Sequence, residues 1–446
     1  MSQASYRPAG QAENALGMEY FCTDVDGIGG RLRATPQDFV VDEVSEKLEP
    51  VEDGRFTAAV IRSTNWETNR LVRKMSKRLG IGRNRINFAG TKDKRAVTTQ
   101  LFVFSAPLED VQSLDLGDVE VLEAFRTNRS IFIGDLYGNR FSIAVKDLDT
   151  GSPGSPGDGI PRALEQCQTI WNRLGDLGGF PNYFGVQRFG VVRPITHVVG
   201  EHIVNGEPEK AVVCYISDLG ELEDERASQV RAEFAETRDV HKALADFPRT
   251  LSFERVLLNH LAKSPDDYVG ALNQLPQNLL SMFIHAHQSC IFNRILSRRM
   301  EKGLPLNQPV EGDRVLKMDK YGLPAHDDWI EVDARNIAKL TELCLKKKAF
   351  VSAALYGYES ELAGGEPGEI EARTIGEAGV TNKDFLLPEF RHMDMKGTRR
   401  EILAPVKDFA LKAEDDAIRF DFELIKGCYA TTLLREFMKR DTIEGY

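Results

Sequence analysis

A chain of 446 residues is longer than one core ordinarily supports, so two or three domains are expected. Hydrophobic residues at 42% and charged residues at 28% are those of an ordinary globular protein. No apolar run is long enough for a membrane span, and residues 1–11 lack the basic start and apolar core of a signal peptide, so a cytoplasmic protein is expected. The net charge of −11 taken alone argues weakly against a nucleic-acid partner, but its distribution reverses that. Between Arg62 and Arg95 eleven cations stand against two carboxylates, an excess of nine that leaves the rest of the chain at −20. Such asymmetry is the footprint of one face meeting phosphates; a solvated basic helix face is the plain alternative.

Residues 1–22 read as a polar lead-in and the glycines at 27–30 as a turn. Phe39, Val41 and Val44 alternate with polar residues, which predicts a strand, and 56–61 predicts a second. A helix follows over 65–79, with Leu71, Val72, Met75 and Leu79 on one face, Arg70, Arg73, Lys74, Lys77 and Arg78 mostly on the other, and Gly80 as the stop. An apolar run at 86–89 ends at Gly90 and resumes at 97–104, predicting strand, turn, strand, with Asp93 at the tip between Lys92, Lys94 and Arg95. A carboxylate among cations stays ionised at neutral pH. An ordinary solvated turn aspartate has the same pattern. Residues 130–145 read as two strands joined by a glycine turn, 149–161 as a linker and 163–174 as a helix.

Residues 178–190 hold four aromatics and a lone arginine, Arg188, among four glycines and a proline. Glycines permit close backbone approach, aromatic faces stack on unpaired bases, and an amide can bond a base edge. A packed loop in which Phe184 and Phe189 fill the core is the alternative. From 195 to 388 the pattern is mostly helical, with an acidic stretch at 217–236, an amphipathic helix at 276–300 and a glycine break at 364–368. A strand at 417–424 and the stretch 427–438, where small residues lead into a short helix, close the chain. Strands, then helices, then strands predict an α+β protein in which a helical domain interrupts a sheet domain. Six dispersed cysteines and eight scattered histidines predict reduced structural thiols and no metal.

The segments 87–100, 182–190, Arg33 with 38–43, 138–141 and 429–436 occur in the order seen in the TruD family of pseudouridine synthases, enzymes assigned to uridine 13 of tRNA, and the chain resembles archaeal members. The resemblance implies a pseudouridine synthase catalytic domain with a mixed sheet and flanking helices, residues 1–194 completed by 401–446, and a mainly helical insertion at 195–400. It implies Asp93 as the catalytic aspartate with Lys92 beside it, Asn182 holding the active site, Phe184 stacking on the target base, and Phe39 and Arg33 near that pocket. Arg70, Arg73, Lys74, Lys77, Lys94 and Arg95 would meet the RNA backbone, and Arg188 or a lysine would neutralise the departing uracil.

Pseudouridine formation breaks the ribose bond to N1, turns the uracil and joins C5 to the same carbon. It involves no redox change or added group, so tRNA is the expected partner and no cofactor, metal, membrane or obligate protein partner is expected. One ionised carboxylate is sufficient as nucleophile or base. A non-catalytic RNA-binding protein would need only the basic helix and aromatic loop, and a nucleotide-cofactor methyltransferase would need a glycine-rich strand-to-helix loop that the chain lacks.

Overall fold

The computed structural model describes residues 6–92, 94–149, 159–220, 222–390, 393–443 and 445–446. Asp93 and most of the 149–161 linker therefore lie outside the described residues. Two compact units are formed, one from Val25–Phe180, Ala404–Arg440 and Glu444–Tyr446, the other from Met1–Asp24, Pro181–Leu403 and Asp441–Ile443. The breaks drawn from sequence fall after residues 194 and 400.

The first unit is built on a nine-stranded sheet in the order Val406–Ala413, Ala417–Ile425, Leu136–Leu148, Phe39–Ser45, Val97–Phe104, Phe56–Thr64, Val119–Thr127, with Gly29–Arg31 and Ile86–Phe88 added beside it. Phe39–Ser45 and Val97–Phe104 pair in parallel, whereas their neighbours pair antiparallel, so the sheet is mixed. Ala59, Ile61, Phe102 and Phe104 form one core with Leu71, Val72 and Met75 of the helix Thr68–Arg78. Burying each large apolar side chain contributes about 1.5–3 kcal/mol, which holds the helix to the sheet. The helix starts later than its periodicity suggests because Asn65 takes a φ of 64° and the Glu67 carboxylate accepts the amides of Asn69 and Arg70, both at 2.9 Å.

Residues 130–145 depart from the expected pair of strands. A single strand, Leu136–Leu148, runs through Gly138, and 130–135 form a turn in which Phe132 and Ile133 are exposed. Gly138 lies inside the strand, where a Cβ would lie 2.2 Å from the Leu424 carbonyl.

The second unit is organised by the helix Gln277–Glu301. Its sequence suggested one apolar face, yet Gln288, Ser289, Asn293 and Ser297 are buried along with Phe283, Ile291 and Leu296. Two helices, the strand Ala349–Leu355 and the Leu16–Gly17 segment pack on it, and Gly200 lets one of the helices, Thr196–Val204, approach so closely that a Cβ would lie 2.0 Å from the Phe283 carbonyl. A four-stranded antiparallel sheet, Pro324–Glu331, Arg314–Met318, Ala349–Leu355, Thr398–Glu401, was not expected from the sequence. Its first strand is mostly polar and partly exposed, so it carries no clean alternation. Cys167, Cys214, Cys290 and Cys344 are buried free thiols.

His197 and His287 are buried in this unit. Burial first, then the Arg294 guanidinium, lowers the His197 pKa to about 4; burial, then His197 itself, lowers that of His287 to about 3. Both rings stay neutral in the folded protein at pH values where the unfolded chain, titrating near 6.5, already binds protons. Their contribution is complete above pH 6.5 and is lost as pH falls toward 4, at up to about 1.4 kcal/mol per pH unit for each group. Urea denaturation at pH 7.5 and 5.0 is expected to show this loss, and a His197→Gln/His287→Gln variant is expected to show a flatter dependence.

Candidate active site

The loop between Ile86–Phe88 and Val97–Phe104 is held by side chains from two other elements and from Val97–Phe104 itself. The Lys92 amide donates to Thr68 Oγ1 at 2.8 Å, at the start of the basic helix. Its ammonium donates to Glu43 Oε2 at 2.6 Å, and the two side chains are 6% and 1% exposed. Gln100 completes the clamp: its Nε2 donates to the Gly90 carbonyl at 2.6 Å, while its Oε1 accepts from Thr68 at 3.1 Å. The parallel register places Asp42 beside Thr99, which brings Glu43 next to Gln100 on the face covered by the helix.

Arg33 and Phe39 pack against each other, with the guanidinium 4.0 Å from the ring centre. Arg33 has a φ of 56°, and its carbonyl accepts from Arg95 at 3.1 Å, tying the far side of the loop to the same segment. Asp38 caps that segment by accepting from the Thr35 amide and hydroxyl at 2.6 and 2.8 Å. Burial alone would raise the Asp38 pKa, but these bonds and the Lys146 charge hold it below the usual range. Arg70, Arg73, Lys74, Lys77, Lys94 and Arg95 are all exposed, as a phosphate-binding face requires.

In the second unit Asn182 is fully buried, and its amide is engaged inside the protein. Its Nδ2 donates to the Glu401 carbonyl and Oε1, each at 2.9 Å, and its Oδ1 accepts from Arg400 at 2.7 Å. The Arg400 guanidinium also lies 4.2 Å from the centre of the Phe184 ring, Arg188 lies 5.3 Å from it, and Phe292 meets its edge. Phe184 is 4% exposed, so the expected stacking platform is covered by cations in this conformation. Asn293 of the central helix fixes its backbone, accepting from the Phe184 amide at 2.8 Å and donating to its carbonyl at 3.0 Å. Burial by itself would raise the Glu401 pKa; a hydrogen bond from His326 at 3.0 Å and the Arg400 charge outweigh it and lower the value.

Glu43, Thr68, Gln100, Asn293, Arg400 and Glu401 are thus structural partners of the predicted residues that sequence reasoning missed. Glu43 lay inside a matched segment, but no sequence signal ties it to Lys92. Among the described residues no group of three or more His, Cys, Asp or Glu side chains is arranged to hold a metal, and no helix is long and apolar enough to cross a membrane.

The whole fold is close to that of a solved TruD structure from Methanosarcina mazei, with a TM-score of 0.81 and 38% identity over 96% of this chain and 97% of the other. The fold is therefore that of the pseudouridine synthases. Relatives described as "Probable tRNA pseudouridine synthase D" include proteins of Methanococcoides burtonii, 41% identical over 97% of this chain and 98% of its own length, and Halobacterium salinarum, 38% identical over 97% and 98%. The family model described as tRNA pseudouridine synthase D (TruD) matches residues 15–437, and the chain belongs to the TruD family.

The Glu43–Lys92 pair gives a direct test of the clamp. Removing one partner leaves an uncompensated buried charge, so Glu43→Gln and Lys92→Met are each expected to destabilise the fold by about 3 kcal/mol, while the double variant recovers much of that loss. Chemical denaturation of the four proteins checks it; additive losses would show that the pair is not coupled.

Proposed function

We propose that this protein isomerises uridine to pseudouridine in tRNA, at uridine 13, with Asp93 as the catalytic carboxylate. The observation that carries the reading is the clamp one residue earlier, where Thr68 holds the Lys92 amide and Glu43 its ammonium, beside an exposed basic helix. Membership in a family described as tRNA pseudouridine synthase supports the reaction class. The target position and the role of Asp93 rest on the match of residues 87–100 to the family's motif. In this reading residues 1–194 and 401–446 form the catalytic domain and 195–400 the insertion, in a cytoplasmic enzyme.

The chemistry requires an ionised Asp93, either to attack the ribose carbon or to remove a ribose proton. The N1 bond then breaks, the uracil turns, and C5 bonds to the same carbon as its proton is lost. Because the Lys92 charge is already matched by Glu43, electrostatic support for the Asp93 anion falls to Lys94 and Arg95, and Lys94 or Arg188 neutralises the departing uracil. Unstacking the target costs a few kcal/mol, and stacking on Phe184 returns about 1–3 kcal/mol once a guanidinium yields its place on the ring. Asn182 acts indirectly in this reading, by holding Arg400 and the Phe184 segment.

Incubating the protein with tRNA and no added cofactor, then mapping pseudouridine, tests the assignment. Asp93→Asn is expected to lower the rate by at least about 10²–10⁴-fold while leaving the protein folded. Full activity in that variant would remove Asp93 from the mechanism. Phe184→Ala is expected to lower kcat much more than tRNA affinity; equal losses would make the ring a binding contact only.

A further inference from the structure

The basic surface of the sheet unit continues beyond the clamped loop. The helix Thr68–Arg78 starts beside that loop and carries Arg70, Arg73, Lys74, Lys77 and Arg78 on its exposed side. Beyond it come Arg83 and Arg85, and the Arg85 carbonyl accepts from the Ser105 amide just past the end of Val97–Phe104. Ser105 is five residues beyond Gln100 along the strand direction, roughly 17 Å at the usual rise, so Arg85 stands well away from the clamp.

A cleft of about 880 Å³ opens there, lined by Arg55, Phe56, Arg85 and Arg126, with Glu52 and Glu109 also on its walls. Arg126 is fixed by hydrogen bonds from its Nη1 to Thr57 Oγ1 at 3.0 Å and the Ala106 carbonyl at 3.1 Å, and the Arg55 guanidinium lies 5.2 Å from the Phe56 ring centre. Guanidinium groups match phosphate oxygens in a planar fork, and an aromatic beside them offers a face to a base.

We propose that this cleft is a second RNA-binding subsite, which holds the phosphodiester backbone of the tRNA at a distance from the reacting nucleotide. It rests on the reading that tRNA is the substrate. The helix supplies a continuous cationic track between the two places, so one RNA strand can engage both.

The test compares Arg55→Gln/Arg85→Gln with Arg162→Gln, which removes a cation from an exposed position on the helix Gly159–Leu177 of the same unit. For the cleft variant, tRNA affinity and KM are expected to weaken about tenfold with kcat unchanged, and the slope of log K against log salt to fall by about 1.5, as for two lost phosphate contacts. Arg162→Gln should stay within about twofold of wild type, since it leaves those contacts intact. Glu52→Lys, which adds a cation to the cleft wall, is expected to tighten binding, a gain that misfolding cannot produce. Unchanged affinity and salt slope in the double variant, or an equal effect from Arg162→Gln, would overturn the inference. Binding is read separately from turnover: a wild-type protein that binds tRNA through the cleft but makes no pseudouridine would defeat the functional reading alone.

Discussion

The buried contact between Lys92 and Glu43 is the constraint on which the candidate site depends. Taking two charges out of water costs several kcal/mol for each, and their attraction offsets that only where geometry is close and further polar groups are satisfied. Here the separation is 2.6 Å, and Gln100 and Thr68 complete the surrounding bonds. An apolar pair could stabilise such a place equally well. What the ion pair adds is location, because it fixes one end of a loop whose next residue is the proposed reacting group. Its position depends in turn on sheet register: slipping Phe39–Ser45 by one residue would move Glu43 to the opposite face and leave Lys92 without its partner.

The second unit fixes the Phe184 segment by the same physical means. Polar side chains remote in sequence saturate one another: Asn182 with Arg400 and Glu401, Glu401 with His326, and Asn293 with both backbone atoms of Phe184. A network with its donors and acceptors matched is rigid, whereas a partly matched one is costly. The covering of Phe184 by Arg400 and Arg188 has a further meaning. The ring is buried against Phe292 with the two guanidiniums over it, so in this conformation it fills the core as a packed loop would.

Local order was legible in the sequence wherever one period dominated. The basic helix, the hairpin strands, the alternation at 39–45 and the long helix of the second unit all follow from spacing of apolar residues. The need for a glycine at 138 was not legible, because its cause is a carbonyl on a strand nearly 290 residues later, which no local pattern reveals. The sheet at Pro324–Glu331 was missed because its exposed strand is polar. At the site, motif resemblance singled out Lys92, Arg33 and Phe39, but their structural partners were not legible. Glu43 meets Lys92 across 49 positions, and Asn182 meets Glu401 across 219, and such pairs exist only after the chain has folded.

The strand order also governs when the protein can be completed during its synthesis. Leu136–Leu148 pairs with Ala417–Ile425, so 268 residues, 223 of them in the other unit, must be made between the two partners. At roughly 5–20 residues per second, the Leu136–Leu148 edge waits on the order of 15–50 s on the ribosome for its neighbour. The intervening chain can reach its own compact state in that interval, whereas the sheet beneath the candidate active site closes only when the last few dozen residues emerge.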